Sequence, residues 1–174
     1  YHPESAKYPP LEAPKLDSIL LANTFYELDF DPPIILNATD KADIHYPNVD
    51  NIRRELKRFA NNIQPNDLTV LCLMGHGKVV DNEYYFIPAG FPLNSSDLKK
   101  YAISADTILS LLNKESSFPL LFVDTCHAGR LVEAIQTQDF NNIAIITSTQ
   151  SNQKAYEEKS YYSYFVSSFV EGIT

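Results

Sequence analysis

A single α/β domain, built on a mainly parallel sheet with helices on both faces, is what the sequence predicts, and three observations carry the prediction. Residues 68–74, 120–123 and 143–146 are short apolar runs without polar alternation, the pattern of strands buried on both faces. Stretches with helical periodicity lie between them, as the crossovers of a parallel sheet require. The chain has 174 residues, 44% of them hydrophobic, and no internal repeat, low-complexity tract or dividing linker, which suits one domain, 1–174, with a substantial core.

The Pro-rich residues 1–14 form an irregular lead-in, and Pro14 falls at the first turn of a helix, where its missing N–H costs nothing. Leu16, Ile19, Leu20, Phe25 and Leu28 give the helix at 15–28 its apolar stripe, and Pro32 and Pro33 end the segment. Residues 34–36 read as a short buried strand and 37–46 as a polar loop. Val49, Ile52, Leu56, Phe59 and Ile63 then share a helix face, with Asn48 as N-cap and Arg53, Arg54, Lys57 and Arg58 opposite on a solvated face. Strand 68–74 opens into Gly75-His76-Gly77. Tyr84 to Ile87 read as a hairpin arm halted by Pro88. Ser104 caps a helix onto which Ile103 staples through Ile108. Strand 120–123 leads through Asp124-Thr125-Cys126 to a helix beginning around Arg130. After strand 143–146, a last aromatic helix covers 161–170 and ends at Gly172.

Composition excludes several classes of function. A net charge of −8, spread along the chain, argues against a nucleic-acid partner and favours cationic ligands. No apolar run approaches the roughly 18 residues of a membrane span, and the N-terminus carries no signal-peptide pattern. Two cysteines make no disulfide framework, four scattered histidines and the absence of CxxC or HxxxH offer no metal set, and reduced thiols fit the cytosol. A nucleotide-binding doubly wound module would need GxGxxG or GxxxxGK[ST], and neither occurs.

Cys126 could be a nucleophile, a metal ligand or a small core residue; Cys72, inside an apolar run, reads as core. Acyl transfer by a thiol needs a base, a route to thiolate and N–H donors for the oxyanion. Cys126 stands at a strand end just before a helix, whose dipole favours thiolate. If the two strands are neighbours, His76 comes within reach as the base, and the N–H groups of Gly77 and Cys126 become the oxyanion donors. His127 adjoins the thiol, but consecutive residues at a turn point apart, so it reads as positional. Asp124 ends a buried apolar strand and needs a partner. Asp17, taken alone, reads as an exposed carboxylate in the first helical turn.

The motifs LTVLCLMGHG, YYFIP, LLFVDTCHAG, IAIITSTQSNQKAYEE and SYFVSSFVEGI, with LEAPKLDS near the start, together resemble the caspase-like cysteine peptidases of the metacaspase and bacterial orthocaspase type. His76 and Cys126 are 50 positions apart, in keeping with the spacing of that group. The resemblance implies a caspase-like three-layer sandwich and a cysteine endopeptidase with a Cys126–His76 dyad and no cofactor for the chemistry itself. Calcium activates some metacaspases, but no motif here carries over its ligands. The resemblance also implies that Asp17 and Asp124 line the S1 pocket and select Arg or Lys at P1, so that the partners are polypeptides with a basic P1 residue. Met74 and Pro14 stand where the family has a small polar residue and a cysteine, which implies a less polar pocket. Arg130, Lys154 and Lys159 are candidates for self-cleavage. The family's first core strand has no counterpart before Tyr1, so the chain is expected to be a fragment of a longer polypeptide carrying partner or regulatory domains. A legumain-like asparaginyl peptidase and a catalytically silent interaction domain are the alternatives.

Overall fold

A computed structural model describes residues 8, 11–92, 97–114, 116–137, 140, 142–153, 155 and 162–173. In chain order the elements are α1 (Ala13–Glu27), α2 (Val49–Asn62), β1 (Leu68–Val80), β2 (Glu83–Ile87), α3 (Leu98–Tyr101), β3 (Ile103–Ser104), α4 (Ala105–Leu112), β4 (Phe118–Thr125), α5 (Gly129–Thr137), β5 (Ala144–Thr147) and α6 (Tyr164–Ile173). The sheet order is β3-β2-β1-β4-β5, with β1, β4 and β5 parallel and β2 and β3 antiparallel at one side.

The unalternated strands are apolar on both faces because each face is covered. On one side Leu71, Leu73, Leu121, Val123 and Ile145 pack with α2, α4 and α5 through residues such as Ile52, Leu56, Ile108, Leu109 and Leu131. The residues between them, Cys72, Met74, Phe122 and Ile146, face α1 and α6 and meet Leu21, Phe25, Val166 and Phe169. A period of two thus sorts each strand into two cores, giving a three-layer sandwich of helices, sheet and helices. Caps set the helix starts as expected: Asn48 Oδ1 accepts from Asn51 N–H, and Ser104 Oγ accepts from Thr107 N–H. Ile103 and Ile108 share one core cluster.

Four expectations need correction. Residues 34–36 form no strand: Ile34 is 52% exposed, and a three-residue run behind two prolines finds no ladder, although Leu36 packs onto the α2 side. β1 does not end at Met74 but continues through Gly75-His76-Gly77 to Val80, because Asp81 and Asn82 both take positive φ (49° and 68°) and make the two-residue turn of a hairpin with β2. Ile103 and Ser104 form a two-residue strand on β2 before α4 begins. The last helix starts at Tyr164, where Ser163 Oγ accepts from Val166 N–H, and it runs through Gly172 to Ile173. α3 carried no periodic signal, being a single turn capped by Asp97.

The buried side chain of Phe122 stacks on Phe165 at a 4.7 Å centroid separation and meets Phe169 at 4.8 Å. Phe122→Ala is expected to lower unfolding free energy by about 3–5 kcal/mol, whereas Phe118→Ala, at a position 59% exposed, should stay within about 0.5 kcal/mol. Urea titrations of the two variants check this contrast.

Candidate active site

β1 and β4 pair in parallel through Met74↔Asp124 and Gly75↔Thr125, so His76 and Cys126 are the next residues of two neighbouring strands roughly 4.8 Å apart. Gly75 marks the change of partner. Its φ of +146° suits glycine, and beyond it β1 leaves β4 and pairs with β2 from His76↔Ile87 onward. His76 therefore lies inside a strand, not in a loop, but at the point where the parallel ladder ends. Its ring meets that of Tyr8 at 5.5 Å between centroids. Tyr8 belongs to the lead-in that the sequence left irregular, with no pattern to single it out.

Gly77 has a separate reason for lacking a side chain. A Cβ there would run into the Cys126 carbonyl oxygen and come within 2.8 Å of Thr125 Oγ1 and the Tyr84 ring. Tyr84, fully buried, shares a 2.8 Å hydrogen bond with Thr125 Oγ1, which lies 3.2 Å from the Cys126 carbonyl. Burial pushes the Tyr84 phenol well above its ordinary range. The tyrosine is thus a neutral hydrogen-bonding partner beneath the turn.

Cys126 follows β4 and precedes α5 by a short turn, in which His127 takes φ +61°. The His127 N–H donates to the Gln153 carbonyl at 2.8 Å, and its Nδ1 lies 3.1 Å from the Ser151 carbonyl, an oxygen that can only accept. Nδ1 therefore carries the proton, and the ring is directed to the 151–153 loop. This agrees with a positional role for His127.

One pocket is lined by Cys126, His76, Asp17 and Asp124, together with Leu11, Pro14, Gly75, Ala155 and Ser163. Asp17 comes from α1 and Asp124 from the face of β4 that carries Phe122 toward α1 and α6. Asp17 is 1% exposed, contrary to the expectation of a solvated carboxylate, because α1 turns it inward against the start of α6. Its oxygens accept from Ser163 N–H at 3.1 and 3.3 Å. Burial raises the Asp17 carboxyl above the usual range; the Ser163 bonds pull it down, and the neighbouring Asp124 charge adds to the rise. Ser163 was missed by sequence, although a serine before an aromatic helix is a readable N-cap.

Gly77 and Cys126, the expected oxyanion pair, are in contact through the Cys126 carbonyl, but Gly77 does not line the pocket. Met74 packs with the α1/α6 cluster, and Pro14 and Leu11 supply the apolar part of the pocket. Cys72 lies in that core too, and burial pushes its thiol up to about 12. Lys154 and Lys159 lie outside the described residues, while Arg130 sits on α5 beside Glu133. Among the described residues no three His, Cys, Asp or Glu side chains gather as a metal set, and no helix is long and apolar enough to cross a membrane.

The chain matches the caspase-domain family Peptidase C14 over residues 2–174. It belongs to this caspase-domain peptidase family. Curated proteins give no match to it. The caspase domain thus carries a cysteine-peptidase-type fold, and the family acts on polypeptides.

The raised Asp17 carboxyl makes a signed prediction. Between the ordinary carboxylate range and the raised folded value the native form holds a proton that the unfolded chain has already lost, so the associated stability is fully present below the ordinary range and disappears as pH rises through the folded value. At neutral pH the buried charge opposes folding. Asp17→Asn, whose amide oxygen still accepts from Ser163, should raise Tm at pH 7, with the gain shrinking toward about pH 4. Thermal melts across that range test the sign. Iodoacetamide at neutral pH should label Cys126 well before Cys72, read by peptide mass spectrometry, because the Cys72 thiol is held protonated in a core.

Proposed function

We propose that the caspase domain is an endopeptidase cleaving after Arg or Lys, with Cys126 as nucleophile and His76 as general base, in a reducing compartment such as the cytosol. The observation that carries this reading is that the carboxylates of Asp17 and Asp124 line the same pocket as the thiol and the imidazole. The Asp124 charge beside Asp17 adds to the rise in the Asp17 proton affinity, and a guanidinium or ammonium group between the two carboxylates relieves that repulsion. An Asp side chain at P1 would add a third negative charge. The two unpaired cysteines support a reducing setting.

In the proposed mechanism His76 takes the Cys126 proton, and the thiolate attacks the scissile carbonyl carbon. The resulting oxyanion is held by backbone N–H groups, for which Gly77 within β1 and Cys126 just after β4 are the candidates. As the intermediate collapses the C–N bond breaks, and His76 returns its proton to the leaving amine, which leaves a thioester on Cys126. Water, deprotonated by His76, then attacks the thioester to release the acid and restore the thiol.

A fluorogenic panel varying P1 tests this. Arg and Lys peptides should be turned over and Asp and Asn peptides should not, with Cys126→Ala abolishing turnover. Asp124→Ala should lower kcat/KM for Arg about a hundredfold, the scale of one lost charge-assisted contact of roughly 3 kcal/mol. Preference for Asp would overturn the pocket assignment. Turnover of Asn peptides alone would favour an asparaginyl peptidase, and no turnover of any peptide a silent interaction domain.

A further inference from the structure

We infer that Thr149 is a positioning residue for Cys126, holding the turn that aims the thiol. This rests on the reading of Cys126 as nucleophile. Thr149 lies just beyond β5 and is 7% exposed. Its Oγ1 donates to the Thr125 carbonyl at 2.9 Å and accepts from the Ala128 N–H at 3.0 Å. The direction is forced, since a carbonyl has no proton to give and an N–H has no lone pair to offer. One hydroxyl therefore spans the turn from the residue before the thiol to the second residue after it.

The neighbouring bonds extend the same brace. The Thr149 carbonyl accepts from Gly129 N–H at 2.9 Å, and Ser148 N–H donates to the Val123 carbonyl at 3.0 Å. Between the anchored ends lie only Cys126 and His127, and His127 is in the left-handed region, which costs a non-glycine residue about 1–2 kcal/mol. A turn with one residue in an unfavourable conformation relaxes unless its surroundings over-determine it. The Thr149 hydroxyl is the side-chain contact made to the backbone on both sides of the thiol. Removing it leaves the Thr125 carbonyl and the Ala128 N–H short of a partner in a buried setting, and relaxation of the turn would move the sulfur. Displacement by about 1 Å is enough to cost a hundredfold in a reaction that depends on near-attack geometry.

The test compares Thr149→Val, which keeps the shape and loses the hydroxyl, with Thr149→Ser, which keeps the hydroxyl. Turnover of an Arg peptide is normalised to competent sites by titration with a basic peptidyl chloromethyl ketone. The rate of Cys126 alkylation by iodoacetamide is followed between about pH 5 and 9, separately from turnover. The expected result for Thr149→Val is a kcat per site lower by about 10–100-fold with KM within about threefold, and alkylation slower by about tenfold with an altered pH profile. Thr149→Ser should recover most of both losses. A purely structural role would lower Tm while leaving kcat per site and the alkylation profile of folded protein unchanged, and that outcome overturns the inference. If wild type cleaves no peptide while its Cys126 alkylation still slows in Thr149→Val and recovers in Thr149→Ser, the nucleophile reading fails and the positioning of the thiol by Thr149 stands.

Discussion

The parallel pairing of β1 with β4 up to Gly75↔Thr125 is the constraint on which the site depends, because it decides where Cys126 leaves the sheet and where His76 passes from the parallel ladder to the hairpin with β2. Alternation of the strands then assigns faces. Phe122 and Asp124 look toward α1 and α6, whereas Leu121, Val123 and Thr125 look toward α2, α4 and α5. A slip of one residue would exchange those faces, burying Asp124 among leucines and carrying Thr125 away from Tyr84. The small clearance at Gly77 opposes such a slip, since glycine alone leaves space for the Cys126 carbonyl.

Around that pairing, polar groups are buried with partners chosen to fix direction. Tyr84 and Thr125 satisfy each other under the turn, Thr149 bridges it from above β5, and the His127 ring is tied to the 151–153 loop. Each bond contributes only about 1 kcal/mol to stability, but an unmade one in the same place costs more, so these networks specify geometry better than they add stability. Asp17 is the exception. It is a buried carboxylate whose partners do not fully compensate its desolvation, and local rules are most often broken where a site binds something.

Much of the fold was legible because periodicity reports burial. The three unalternated runs became β1, β4 and β5, and the residues opposite Arg53, Arg54 and Lys57 became the buried face of α2. The misread parts share a cause, in that local pattern cannot say whether a ladder partner exists. Ile34 to Leu36 look like β1 in miniature but have nothing to pair with, and the extension of β1 past Met74 depends on two residues, Asp81 and Asn82, whose turn-forming meaning lies in their backbone angles. At the candidate site, His76 and Cys126 were singled out by their places at two strand ends and Asp17 and Asp124 by resemblance, and all four line one pocket. Thr149 and Tyr8 were not, because a hydroxyl in a polar loop and a tyrosine in a proline-rich lead-in carry no sequence signal until the chain has folded around them.

The hydrogen bond between Asp17 and the Ser163 N–H ties the pocket to the first turn of α6. The same carboxylate thus serves a helix terminus and faces the cleft, so the two are linked thermodynamically. Any cation that enters the pocket and lowers the proton affinity of Asp17 binds the folded form in preference to the unfolded one, and by reciprocity whatever seats α6 firmly also favours the cation. Occupancy of the cleft and docking of the last helix become one equilibrium viewed from two ends.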